Sequence, residues 1–175
     1  MNPNKLVLKP EARRQVMEAW ANDLELEVVR EVDRAHTVMS WKEWIDPHSR
    51  TITWMEDHTV GVVFVEGDLI DDDLRARLPH FTQDELVAGA NGDDPVVGIR
   101  SLRALAEMTR YENEGEPIDM FERWVSHEDE AVRRAAARCL WVGRWPGALE
   151  VLRLRREKDV ELRETLDHMI ASLCE

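Results

Sequence analysis

Positive charge is what this chain has least of. Its 23 lysines and arginines face 36 aspartates and glutamates, for a formal net charge of −13. A general DNA- or RNA-binding surface needs a basic footprint, and an anionic membrane attracts one, so the sequence predicts neither partner. Cysteine is nearly absent too: Cys139 and Cys174 belong to no CxxC pair, which fits a reduced thiol setting. No apolar run approaches the length of a membrane span, and the first residues lack a signal-peptide core, so a cytoplasmic location is expected. The eight glycines are scattered and form no P-loop or GxGxxG turn. GxSxG and HExxH are missing, and none of His36, His48, His58, His80, His127 and His168 has a metal-ligand spacing to another histidine or cysteine. No catalytic residue, cofactor or metal site is therefore expected.

Enough apolar residues remain, 43%, to bury a real core. The acidity is spread evenly, with net −6 over residues 1–81 and −7 over 82–175, so it is not a disordered tail. Pro10 suits a helix start, with Val16, Met17 and Trp20 at helical spacing behind it. Asp23 predicts a cap for a second helix carrying Leu24, Val28, Val32 and Ala35, and also Val38 and Met39 if it runs that far. Trp41, Trp44 and Ile45 either continue that helix or begin a strand. The β-formers at 51–55 and 59–65 predict a hairpin, or a three-stranded meander if 41–45 joins it, with a bulge at Gly61. Asp71, Asp72 and Asp73 read as charge at a helix start rather than as a cation site.

From residue 82 onward the chain repeats itself. Asp129, Val132 and Arg133 open an alanine-rich run ending in Cys139 and Leu140. Asp94 and Val97 begin a similar run thirty-five residues earlier, and Asp159, Leu162 and Arg163 another thirty residues later. Acid, two residues, valine or leucine, then usually arginine, returning every 30–35 residues, indicates stacked helix pairs. The pairs read as 83–90 with 95–110, 117–126 with 130–143, and 147–157 with 160–174. An acidic insertion at 111–116 lengthens the first. This pattern resembles the HEAT-like repeats first described in phycobilin lyases, over residues 82–175. Gly98 departs from it, standing where the other two repeats have Arg133 and Arg163. The expected fold is thus mainly α: a short HEAT-like α-solenoid over 82–175, capped by a small α+β region over 1–81.

Seven tryptophans are the main aromatic excess, beside one tyrosine and three phenylalanines. Most read as core filling, with Trp20, Trp54 and Trp124 at core positions. With Val132 placed at the middle of the buried side, a step of about 100° per residue turns Arg134, Arg138 and Trp145 away from it. The repeat offsets bring Arg103 and His168 to the angle of Arg138, and Arg110 to that of Trp145. If the second helices line one face, as the resemblance implies, these six residues form a basic and aromatic stripe suited to a protein partner. The alternative is a solvated arginine face. The functional expectation is a non-catalytic protein-binding module, in its narrower form an inhibitor or immunity-type protein. An enzyme or enzyme accessory factor of the lyase-associated type is the second reading, and it comes from the resemblance.

Overall fold

The computed structural model of the protein describes residues 4–33, 38–109 and 118–174. Within them lie a five-stranded antiparallel sheet and eight helices, divided into two units, Met1–Thr82 and Gln83–Glu175. This is an α+β architecture, and it overturns the mainly α expectation.

The error lies in the first unit, where the sequence holds more strand than its apolar spacing suggested. β1 (Lys5–Leu8) is followed by helix α1 (Arg14–Asp23) and then by strands β2 (Glu27–Val32), β3 (Met39–Ile45), β4 (Thr51–Asp57) and β5 (Val62–Gly67). The sheet order is β1-β5-β4-β3-β2, so the expected meander is present as β3–β5 and gains a strand on each side. Asp23 ends a helix instead of starting one. The Leu24 amide closes back on the Trp20 carbonyl, Glu25 takes a left-handed φ of 55°, and the chain leaves as β2. The spacing of four between Leu24, Val28 and Val32 satisfies a helix and a regular strand alike, and β-branching at Val28, Val29 and Val32 favours the strand. Ala35 and His36 lie outside the described residues. Gly61, at φ 67°, sits in the β4–β5 turn; the bulge is in β2, between Val28 and Arg30.

One face of this sheet makes the core of the unit. Leu6, Leu8, Trp44, Ile52, Trp54 and Val65 pack with Met17, Trp20 and Ala21 of α1 and with Leu74 and Leu78 at the short helix α2 (Asp72–Arg77). Asp71 caps α2 by accepting the Leu74 amide at 2.8 Å, and Asp72 and Asp73 lie in its first turn. At the rim, the Lys42 ammonium meets Glu18 of α1 at 3.0 Å and Glu31 of β2 at 3.7 Å, while Arg14 bonds both acids. The two ends of the sheet are treated differently. All four β1 residues are buried, and 79–81 run along β1 through a Leu8–His80 bridge, Lys9 N to Pro79 O at 2.9 Å and Phe81 N to Val7 O at 2.8 Å. Five of the six β2 residues are exposed, and no described strand lies beyond them.

In the second unit the helices are α3 (Gln83–Ala90), α4 (Pro95–Met108), α5 (Ile118–Val125), α6 (Glu130–Gly143), α7 (Pro146–Lys158) and α8 (Arg163–Leu173). α3 packs on α4, α5 on α6 and α7 on α8, and the second helices touch in series, α4 on α6 and α6 on α8. The small residues of α6 permit this: Ala136, Ala137, Cys139 and Leu140 are all buried. The repeated acids act as caps. Asp94 accepts from the Val96 and Val97 amides and Asp129 from Ala131, at 2.8, 3.3 and 2.8 Å. Asp159 accepts from Leu162 at 3.2 Å and does more besides. It is 4% exposed, takes the Arg133 guanidinium at 2.6 Å and the Arg155 guanidinium at 3.0 Å, and so ties α6 to the α7–α8 connection.

Gly98 explains why no such tie exists one repeat earlier. A Cβ at this position would overlap the Trp124 ring, whose indole N–H donates to the Ala90 carbonyl at 2.8 Å. Tryptophan fills this space, whereas the next repeat carries the buried Arg133 at the corresponding position.

Candidate interaction surface

The structure divides the six residues of the expected stripe. Arg134, Arg138 and His168 lie on the outer side of α6 and α8. Arg138 and His168 are exposed, and the Arg134 side chain is 41% exposed. Arg103 is buried on α4 at 6% exposure, with its guanidinium on Glu107 at 2.6 Å. Arg110 lies outside the described residues. Trp145 is the clear correction, being 2% exposed.

Its burial has a local cause. The helical projection assumes that α6 continues through residue 145, but the helix stops at Gly143 and Arg144 takes a left-handed φ of 52°. The chain reverses there and sends the Trp145 ring inward, where its indole N–H donates to the Thr109 carbonyl at 3.1 Å and its edge meets Phe121 at 5.2 Å between centroids. Gly143 makes room, because a Cβ on it would lie 2.7 Å from the ring.

The aromatic of the surface is instead Trp141, 36% exposed, which the sequence reading did not place on the stripe. The signal was available: it stands seven residues after Arg134, two helical turns along the same face. Its indole N–H donates to Ser172 Oγ at 2.5 Å, and Arg134 donates to Thr165 Oγ1 at 3.3 Å. Both bonds join α6 to α8, and they are seven residues apart on each helix. They hold the two helices in register and bracket Arg138 and His168 between them. Arg134 is also paired with Glu130. Among the described residues Arg138 has no ion-pair partner.

Below this ridge the charges are committed. Arg133 donates to Asp159, to Glu161 at 2.5 Å and to the His127 and Glu128 carbonyls. Burial alone would raise the Asp159 carboxyl, but hydrogen bonds from Arg133, Arg155 and the Leu162 amide outweigh it and hold the group below its ordinary value of 3.8. On α8 the hydrogen bond from Arg156, at 2.7 Å, likewise holds the Asp167 carboxyl low. This leaves Arg138 as the ridge cation available to a partner.

Ser40 Oγ and His58 Nε2 are 2.9 Å apart at the β3–β4 end of the sheet. Among the described residues no carboxylate engages the other ring nitrogen, which a nucleophile–base relay would use for orientation. A groove between α5 and α7 is lined by Glu122, Val125, Ser126, Val151, Leu154, Arg155 and Lys158, with no convergent reactive set. Among the described residues no cluster of histidine, cysteine and carboxylates could hold a metal, and no helix is long and apolar enough to cross a membrane. Comparison with family models, curated proteins and solved structures returned no match.

Proposed function

We propose that the protein is a binding module without a reaction of its own, and that the α6–α8 ridge of Arg134, Arg138, Trp141 and His168 engages a protein partner. The observation that carries this reading is the fixed, partly exposed Trp141 two turns along α6 from Arg134, with Arg138, which has no ion-pair partner among the described residues, between them. Tryptophan offers a large rigid area and arginine a planar multi-donor head, the two side chains most enriched at interface centres. The hydrogen bond to Ser172 orients the indole before binding, which lowers the ordering cost on association. A matching partner presents a carboxylate for Arg138 beside an apolar recess for Trp141. An inhibitor or immunity-type role is the narrower form of this proposal, and the two free cysteines accord with a cytoplasmic setting.

The test is capture of partners from the source cell on immobilised protein. Replacing Arg138→Glu together with Trp141→Ala is expected to weaken capture of a specific partner about tenfold or more, the effect of losing a hot-spot pair. The melting temperature is expected to shift by only a few degrees, since both side chains are at the surface. Undiminished capture by the double variant would remove the ridge from consideration.

A further inference from the structure

The open edge of the sheet carries a second surface, independent of the helical ridge. Strand β2 has five exposed residues of six, including Val28 at 46% and Val29 at 50%, and Leu24 and Val38 on either side are exposed as well. A strand so placed offers main-chain groups and apolar side chains to another strand. What decides the occupant is the bulge. In a regular strand, residues three apart point to opposite faces. Here Glu27 stands opposite Ile45 and Arg30 opposite Glu43, and those two β3 residues are two apart, so the bulge turns Glu27 and Arg30 to the same face. Arg30 is held there by its guanidinium over the Trp41 ring, 5.1 Å from the centroid, and no ion pair among the described residues claims Glu27.

We infer that β2 pairs antiparallel with β2 of a second copy of this chain, about a two-fold axis between Val28 and Val29. Glu27 of each copy then faces Arg30 of the other, and the valines meet at the centre. An isologous contact requires such self-complementarity, and an acid and a base on one face supply it twice over. Glu31 does not interfere, since it lies on the other face and is engaged by Arg14 and Lys42. The bulge limits the ladder to a few residues. So short a ladder is expected to bury less than the roughly 1,000 Å² of a stable interface. With both copies strongly acidic, the association is therefore weak and concentration-dependent.

Sedimentation velocity over a concentration series tests this. The native protein is expected to move from 20.4 kDa toward twice that mass as concentration rises. Glu27→Arg alone places arginine against arginine, and Arg30→Glu alone places glutamate against glutamate, so each is expected to stay monomeric. An equimolar mixture of the two restores both opposite-charge pairs and is expected to dimerise. Far-UV circular dichroism checks that each variant is folded. Because Arg30→Glu also brings a second acid against Glu43, Val29→Lys at the exposed centre serves as an independent variant, expected to be monomeric. The inference is overturned by a native mass that stays at 20.4 kDa throughout, by a mixture no heavier than its components, or by undiminished association of Val29→Lys. Any of these results would leave the edge to a strand of another protein.

Discussion

Two side chains at the α4–α6 and α6–α8 steps show how one repeat position is filled in different ways. Where Gly98 stands, the indole of Trp124 occupies the space; one repeat on, Arg133 reaches Asp159. Gly98→Ala therefore forces a Cβ into a ring anchored by its own hydrogen bond, and is expected to cost about 1–3 kcal/mol in denaturant unfolding, the usual penalty of overpacking. The same exchange on an exposed helix would instead stabilise slightly. Asp159→Ala leaves Arg133 buried with only Glu161 and main-chain carbonyls as partners, and is expected to cost about 3 kcal/mol. The native pair should also show in the pH dependence. Asp159 is held below 3.8 in the folded state, so its stabilisation is fully present above that value and is lost as the pH falls through the lower folded-state pKa. Melting curves of the native protein and of Asp159→Asn should lie apart at neutral pH and converge on acidification below about pH 3.8.

Among the elements, legibility followed how many levels of the sequence agreed. The helices of the second unit announced themselves through caps and periodicity together, as with Asp94 before Pro95 and Asp129 before the alanine run. In β2 the levels disagreed, since its spacing fits a helix and its β-branching a strand, and pairing with β3 decides between them. β1 was missed for another reason. Four residues, Lys5–Leu8, are too short for any periodicity, and their strand character comes from β5 beside them. The proposed interaction surface was half legible. The outward placement of Arg134 and Arg138 followed from angle, and that of His168 from angle with the repeat offset, because α6 and α8 are regular there. Trp145 failed because a single left-handed residue, Arg144, ends the regularity that the angle assumes. Arg144→Gly removes the cost of holding a side-chain-bearing residue at φ 52°, so its melting temperature is expected to match or exceed that of the native protein. The packing of α6 can be read by thiol labelling. In the folded protein one thiol, Cys174, should react quickly, and Cys139, 1% exposed behind α4, only on opening.

For the molecule as a whole, acidity and architecture pull apart. A net charge of −13 describes an average surface, while the arginines that matter are removed from that average: Arg133 lies inside an ion-pair network, Arg30 over a tryptophan, and Arg138 alone among the described residues at the ridge. Far-UV circular dichroism should accordingly report strong helix with a distinct β contribution, since the helices of both units outweigh a sheet that is nonetheless complete. The strip 79–81 laid along β1 has a wider consequence. In the language of polymer chemistry, a building block with two reactive ends grows into a chain, and one with a single end stops after the first addition. Among the described residues β1 is sealed and only β2 is free, so this sheet is monofunctional. Whatever strand adds to it, elongation ends there, so concentrated folded protein should show neither rising light scattering nor thioflavin fluorescence on standing.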